Sequence, residues 1–406
     1  MKYGVHKKMT TKSKPLTIAI LFFTAIGVVT LVGCAKPELT IVHVSDMHYF
    51  SPSLIDDEDF MWKVTMESDG KDTIQSALIA QAFVDDMLKL KPDAVVITGD
   101  LTLNGEVQSH EELRELMGKL KDIGIEVYVM TGNHDVNMTA YRYTSDGVEE
   151  VPSFGSQQFE DHWWDFGYGN ALSQDRWSNS YIAELNEKTW LLSVDSNTGS
   201  KGTIRKSTLD WIEENLEKAQ KEGIRVVSAT HQNLFVHNEN FVWGYQLNNA
   251  AALIELYEKY GVEVNLSGHL HVQTIVENNG IADIAVSSLV DTPLQYGVLT
   301  ISGDKLSYRT REVSDEALKA KAKEVFDECT RYKVKNELLD VSDPDAAKKM
   351  MDVAVQLNRE YFLGKFSKVD EAALALWKQN EGFFAKYLVS IHEGAGARKD
   401  NRRWKN

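Results

Sequence analysis

From Leu39 to about Arg311 the sequence alternates short β-branched runs with amphipathic stretches, and that alternation leaves few architectures open. The runs predict strands at Leu39–Val44, Ala94–Thr98, Glu126–Met130, Trp190–Val194, Arg225–Ala229 and Val262–Leu266. Between them Ile74, Ala77, Leu78 and Ala82, and later Leu209, Ile212 and Leu216, recur at spacings of three and four, as the core-facing stripe of a helix does. Strands interleaved with helices specify an α/β fold, with helices covering sheets. A hydrophobic fraction of 43% and a charged fraction of 26% are ordinary for a globular chain and exclude disorder, collagen and a multi-span membrane protein. At 406 residues the chain exceeds one ordinary domain, which predicts a large core plus an insertion or a smaller second unit.

Five polar clusters follow the candidate strands in order: Asp46-Met47-His48, Gly99-Asp100, Gly132-Asn133-His134-Asp135, His231, and Gly268-His269-Leu270-His271. Open α/β sheets gather ligands at the carboxyl ends of their strands, so this placement is the first functional clue. Singly the clusters are weak, since an Asp-x-His triplet arises often by chance and a lone histidine is more often structural. As an ordered set they bring carboxylate, imidazole and amide donors from several segments to one place, as a metal site requires.

The ordered set, with all five blocks intact, resembles the calcineurin-like metallophosphoesterase family over roughly Glu38 to Arg311. The resemblance implies a two-sheet sandwich flanked by helices and a pair of metal ions. Asp46, His48 and His271 would hold the first ion, Asn133, His231 and His269 the second, and Asp100 would bridge both. A carboxylate has two oxygens to offer two cations, and ions so paired sit about 3.5–4 Å apart. His269 and His271, two residues apart on a segment expected to be extended, would project the same way, with Gly268 permitting a tight turn before them. The family also implies in-line attack on phosphorus by a metal-bridged hydroxide, with no covalent enzyme intermediate. His134, which the family pattern assigns to no metal, would stabilise the transition state or protonate the leaving oxygen. Asp135 would orient His134, or else cap a helix.

Other polar residues have weaker claims. His43 within the first strand, and His110 and His162 in helical or insertion sequence, read as structural. His237, Asn240 and Trp243, in the loop after His231, are open to a substrate role, and Asp195 at a strand end is open to a supporting one.

Two regions break the alternation. Residues 136–188 form a long insertion rich in Trp163, Trp164, Phe166, Tyr168 and Trp177, either a lid or a packed surface excursion. From residue 313 onward the strand signals give way to three amphipathic helices, roughly Ser314–Glu337, Pro344–Leu363 and Lys368–His392. Asp343 ahead of Pro344, and Ser367 with Asp370 three residues on, mark helix starts. The stripe of Met350, Val353, Ala354, Leu357 and Tyr361 needs a surface to pack against. The organisation expected is therefore a catalytic domain over 34–312 and a helical C-terminal unit over 313–406, ending in a basic tail from Arg398.

The amino end differs in kind. Five lysines precede Leu16–Val32, a stretch of 17 residues without charge, which is the shape of a secretory signal. It closes on Leu31-Val32-Gly33-Cys34, which resembles the bacterial lipobox and implies a signal peptide over 1–33 with lipid on Cys34. The alternative is a retained membrane helix, for which 17 residues lie at the short edge. Either reading tethers the domain outside the cytoplasm, and the first predicts a protein anchored by lipid to the outer face of the bacterial cell membrane. Loss of 1–33 removes five lysines and no acid, so a net charge of −16 becomes −21. A surface of that sign disfavours duplex nucleic acid as a partner and leaves a small phosphate ester drawn to metal ions. With Cys34 lipidated, Cys329 has no disulfide partner; it falls on a helical stripe with Leu318, Ala322, Val325 and Phe326 and reads as buried.

Hard oxygen and imidazole donors without thiolate suit Mn, Fe or Zn. A lipid-anchored enzyme of this size with an appended helical unit resembles bacterial cyclic nucleotide phosphodiesterases of the family, which implies hydrolysis of small phosphodiesters. The alternatives are a phosphomonoesterase or nucleotidase of the cell surface, and a non-catalytic binding lipoprotein, including a solute-binding one.

Overall fold

The computed structural model describes residues 38–67, 70–339, 341–394 and 400–404. Cys34, the stretch 1–33 and Arg398 lie outside them. The chain opens with strand β1 (Leu39–Val44), then helices α1 (Glu58–Glu67) and α2 (Ser76–Leu90), strand β2 (Ala94–Ile97), helix α3 (Val107–Lys121) and strand β3 (Glu126–Val129). β1, β2 and β3 run parallel. A hairpin of β4 (Ala140–Thr144) and β5 (Gly147–Val151) and helix α4 (Ser156–His162) lead into a second sheet.

That sheet comprises β6 (Ser173–Gln174), β7 (Tyr181–Asn186), β8 (Thr189–Val194), β9 (Arg225–Thr230), β10 (Val264–Ser267), β11 (Thr274–Asn278) and β12 (Ile281–Ala285). Helix α5 (Lys206–Glu222) joins β8 to β9, and α6 (Ala250–Tyr260) joins β9 to β10. Spatially its order is β11-β12-β10-β9-β8-β7-β6, with β8, β9, β10 and β12 parallel. β13 (Gln295–Ser302) and β14 (Lys305–Glu312) then return to the first sheet, β13 lying antiparallel beside β1. Helices α7 (Glu316–Val334), α8 (Pro344–Leu363), α9 (Glu371–Trp377) and α10 (Phe383–Glu393) precede strand β15 (Asn401–Trp404).

The two sheets face each other across one apolar layer. Ile41, Val96 and Leu299 from the first sheet and Leu191, Val227 and Leu266 from the second are buried in the same cluster. Each such side chain contributes about 1.5–3 kcal/mol on burial. Because successive strand residues point to opposite faces, Leu191 joins this layer while Leu192 meets Ile212 and Leu216 of α5 and Leu253 of α6 outside the sheet. α2 and α3 cover the first sheet through Ile79, Phe83, Leu113 and Met117. The two-sheet α/β sandwich is thus the fold expected from the sequence.

Several elements differ from expectation. Residues 136–188 are only partly an insertion, because β6 and β7 at its end belong to the second sheet. Trp163, Phe166 and Tyr168 pack inward in the main core, and Trp163 Nε1 donates to His110 Nδ1 at 3.2 Å. The stretch is a packed excursion, with Trp164 and Trp177 left at the surface.

At the carboxyl end, Asp343 caps α8 through the Asp345 N–H, and the stripe from Met350 to Tyr361 packs into a core of its own with α7, α9 and α10. The third expected helix divides at Asn380–Gly382, where the Glu337 carboxylate accepts from the Phe384 and Ala385 N–H groups and starts α10 afresh. Asp370, rather than Ser367, caps α9. Asn401–Trp404, expected in a basic tail, is an edge strand antiparallel to β14. Cys329 is buried on α7, as its stripe suggested.

Candidate metal centre

Every candidate ligand stands just past the carboxyl end of a strand: Asp46 and His48 after β1, Asp100 after β2, Asn133 after β3, His231 after β9, and His269 and His271 after β10. The exits of β1 and β2 stay zipped, with Asp46 N–H donating to Gly99 O and His48 N–H to Asp100 O, both at 3.0 Å. Across the sandwich, His269 N–H donates to Asp46 Oδ2 at 2.9 Å, and within the first sheet His134 N–H donates to Asp100 Oδ1 at 2.8 Å. These bonds fix one oxygen of each carboxylate and leave the other facing the centre.

Two constellations result, one of Asp46, His48, Asp100 and His271 and one of Asp100, His231 and His269. In the first, Nε2 of His48 and Nε2 of His271 lie 3.2 Å apart, and His271 Nε2 is 3.2 Å from Asp46 Oδ1. In the second, His231 Nε2 lies 2.9 Å from Asn133 Oδ1 and 3.4 Å from Asp100 Oδ2. Asp100 Oδ2 also faces His48 Nε2 at 3.9 Å, so a single oxygen looks onto both groups.

The outward nitrogens determine what the inward ones offer. His231 Nδ1 meets Thr98 O at 2.8 Å, His269 Nε2 meets Gly244 O at 2.7 Å, and His271 Nδ1 meets Asp291 Oδ2 at 3.3 Å. Thr98 O and Gly244 O stand where they can accept a ring proton and the Asp291 carboxylate faces His271 Nδ1, the outer arrangement of metal-ligating histidines, in which a neutral ring turns its other nitrogen's lone pair to the centre. Burial holds His48 well below its usual range, and burial with the nearby His231 carries His269 down to about 4, so both are neutral at pH 7. Burial opposes ionisation of Asp46 and Asp100, yet the surrounding histidines hold both carboxyls below their usual range. Against its own burial, His231 is raised to about 9 by Asp100. The acidic pair calls for positive charge at this point, and a cation satisfies that demand. Lone pairs facing one another, and an Asp46 Oδ1 buried without a hydrogen-bond donor, fit a metal ion.

The backbone is strained where the ligands sit. Asp46, His48, Asp100, His269 and His271 all have positive φ, between 37° and 64°, a region that costs a non-glycine residue about 1–3 kcal/mol. His269 and His271 therefore do not lie on an extended segment. Each turns separately, His269 to pack on His231 at 4.8 Å between ring centroids and His271 on His48 at 5.1 Å. Gly268 serves close approach here: a Cβ would lie 1.8 Å from Ser45 Oγ.

His134 Nδ1 meets Leu103 O at 2.7 Å, while Nε2 lies 4.0 Å from Asp100 Oδ2 at the edge of the cluster. The expectation that Asp135 orients this ring is corrected. Asp135 Oδ2 accepts from Gly132 N–H at 2.7 Å and Oδ1 from Thr102 N–H at 3.1 Å, so its carboxylate ties the exits of β2 and β3 together. Asp195 braces the second of these, accepting from Thr131 Oγ1 at 2.6 Å. His43, His110 and His162 sit away from the centre, and His237 turns to Asp283 at 3.0 Å. Sequence reasoning passed over Asp291 behind His271, and Lys71, whose charge acts on His48 and His134. No motif marks either one.

The centre opens into a cavity of about 500 Å³ lined by Asp100, His134, His269 and His271 on one side and by α7, α8, α10 and the Phe241–Tyr245 loop on the other. Within that loop Phe241, Gly244 and Tyr245 line the cavity; Asn240 instead bonds Ser390, and Trp243 is 91% exposed.

This fold and cluster agree with comparisons to known proteins. The chain belongs to the calcineurin-like phosphoesterase family, whose model matches residues 39–273. It is 24% identical over 247 residues to a cAMP/cGMP dual specificity phosphodiesterase of Mycobacterium tuberculosis, covering 59% of this chain and 64% of that relative. It thus spans slightly less than two thirds of that relative's length. It is also 24% identical over 217 residues, 52% of this chain and 75% of the relative, to a probable cyclic nucleotide phosphodiesterase of Ruthia magnifica subsp. Calyptogena magnifica. A dimetal phosphatase from Danio rerio shares the fold, with a TM-score of 0.50 at 11% identity over 68% of this chain and 97% of that one. Membership of this phosphoesterase family and the buried Asp/His cluster both fit a divalent metal site at this point of the fold.

Proposed function

We propose that the protein hydrolyses small phosphodiesters, cyclic nucleotides among them, with a pair of Mn, Fe or Zn ions. Asp46, His48 and His271 would hold one ion, Asn133, His231 and His269 the other, and Asp100 both. The observation that carries the reading is the cavity of about 500 Å³ joined to the cluster, within the ~300–1,000 Å³ range of small-molecule sites and too small for a duplex or a folded partner. The names of the two relatives support the substrate class.

Ions bound there would supply Lewis-acid activation of water and neutralise phosphoryl charge. The chain's own residues do the rest. Lys71 lends positive charge to the phosphate side of the cavity. His134, held by Leu103 O, keeps Nε2 toward the cluster, and burial holds its pKa below the usual value, so the neutral ring presents a lone pair. It must take up a proton before handing one to the leaving oxygen.

Hydrolysis of 3′,5′-cyclic AMP, bis-p-nitrophenyl phosphate and p-nitrophenyl phosphate by the full chain, metal-free and with Mn²⁺, tests this against Asp100→Asn. Metal-dependent diester cleavage that disappears in the variant is expected. Preference for the monoester would replace the reading with a phosphatase, and absence of turnover with every metal would replace it with a binding protein. The proposed setting, export and lipid on Cys34, predicts palmitate incorporation that Cys34→Ala abolishes; equal labelling would overturn it.

A further inference from the structure

The wall of the cavity facing the cluster is built of aromatic rings, and they run in a series. Tyr245 packs on the metal-centre residue His269 at 5.3 Å, Phe241 on Tyr245 at 5.2 Å, and Tyr387 on Phe241 at 5.5 Å. Phe383, one turn before Tyr387 on α10, lies within 2° of parallel to it at 6.3 Å. Tyr361 of α8 adds a further ring at 6.0 Å from Tyr387.

These rings are held in place. Tyr387 Oη donates to Asn358 Oδ1 at 2.6 Å, and Asn358 Nδ2 donates to Thr330 Oγ1 at 2.9 Å, which joins α10, α8 and α7. Glu337 anchors the first turn of α10. Yet Phe383, inside this rigid arrangement, stays 59% exposed while lining the cavity. A phenylalanine in that position, on a fixed backbone and parallel to its neighbour, offers a ring face to whatever enters.

Charge is distributed to match a two-part ligand. Lys71 and Lys333 line the same cavity as the cluster, in a chain whose net charge is −16. Lys71, whose charge acts on His48 and His134, adds to the attraction for an anion at the cluster, and the rings line the same small-molecule volume.

We infer that the aromatic wall supplied by α8, α10 and the Phe241–Tyr245 loop binds the heterocyclic base of a nucleotide-class phosphodiester, with its phosphate at the Asp/His cluster. The inference rests on the phosphodiesterase reading for the bond that is cleaved, and adds which part of the substrate the helical unit selects. Stacking tolerates any base because every base has a π-face, so the wall favours nucleotides over aliphatic phosphate esters without dictating which nucleotide. A lipid tail is the competing occupant and is distinguished by the test.

The test is binding as well as turnover, on the full chain loaded with Mn²⁺. Calorimetric affinity for AMP is compared with that for ribose 5-phosphate, which has the same sugar phosphate and no base, and with that for glycerol phosphate carrying a short acyl chain. The wild type is expected to prefer AMP over ribose 5-phosphate by at least about tenfold, as one stacked base provides. Phe383→Ala and Phe241→Ala each reduce that preference several-fold with ribose 5-phosphate affinity unchanged, and Phe383→Tyr retains it. In hydrolysis, the same alanine variants raise KM for cyclic AMP by a larger factor than they lower kcat. Equal affinity of the wild type for AMP and ribose 5-phosphate overturns the inference, as does a preference for the acylated compound or an AMP preference untouched by both alanine variants. An AMP preference lost in the variants, in an enzyme that cleaves no diester, keeps the base site and removes the phosphodiesterase reading instead.

Discussion

Gly132 offers the sharpest test of how the central carboxylate is held. A Cβ added there would lie 2.1 Å from Asp100 Oδ1 and 2.2 Å from the Asp100 backbone nitrogen, whereas ordinary contact begins at 3.4 Å. Neither atom belongs to a flexible side-chain end, and Asp100 Oδ1 is already fixed by the His134 N–H. Gly132→Ala must therefore displace the Asp100 carboxylate by about 1.3 Å, and a misplacement of that size costs about 100-fold in rate. The expected result is a fall of at least about 100-fold in kcat/KM for bis-p-nitrophenyl phosphate, about 2.7 kcal/mol in the transition state. Stability should fall by only about 1–3 kcal/mol, the cost of overpacking, so Tm drops by some degrees and the fold persists. Gly118→Ala is the control, because a Cβ on this α3 residue meets nothing within 4 Å. It should stabilise by about 0.5–1 kcal/mol and leave kcat/KM alone. A folded Gly132→Ala enzyme within about threefold of wild-type kcat/KM would refute the claim that close packing of Gly132 sets the carboxylate.

Asp291→Asn removes the charge that faces His271 Nδ1 at 3.3 Å, and Mn²⁺ affinity measured by calorimetry should weaken by about 10–100-fold; unchanged affinity would deny Asp291 its part in orienting the ligand. Burial pushes the Glu106 carboxyl up to about 7, well above its value of about 4.5 in an unfolded chain. Between those values the unfolded chain has lost a proton that the folded chain keeps, so stability falls as pH rises through that window, by up to about 3 kcal/mol, and remains reduced above it. Glu106→Gln should flatten the slope in urea melts between pH 5 and pH 8, and an unaltered slope would contradict the assignment.

The ligands could be read from the sequence because each sits within five residues of a strand end that periodicity alone reveals, as Asp46 and His48 follow β1 and His231 follows β9. Asp291 and Lys71 are different in kind. Asp291 reaches His271 only because β12 runs parallel to β10 and returns its chain to the same edge, a tertiary relation with no local mark. β11 and β14 escaped because in Thr274–Asn278 and Lys305–Glu312 polar residues are frequent enough to mask the strand pattern. The break between α9 and α10 turns on Glu337, more than forty residues upstream of the helix it caps. Asp135 misled because adjacency to His134 suggested a partnership that the turn itself rules out, its carboxylate being taken by Gly132 and Thr102.

The strain at the ligands explains why the helical unit cannot be a separable appendage. Of the nine non-glycine residues with positive φ among those described, five are candidate metal ligands, and such conformations persist only where the surroundings over-determine them. For Asp46, His48 and Asp100 the zipped exits of β1 and β2 provide that constraint. The Gly268–His271 turn draws on the C-terminal helices instead: His269 and His271 face the centre while Leu270 and Val272, alternating with them, are buried in the cluster formed by α7, α8, α9 and α10. One short segment thus anchors both constellations at one set of positions and the helical core at the next. The helices that supply the aromatic wall also hold two of the seven candidate ligands in their strained backbone, so positioning of the substrate and integrity of the metal centre rest on the same packing.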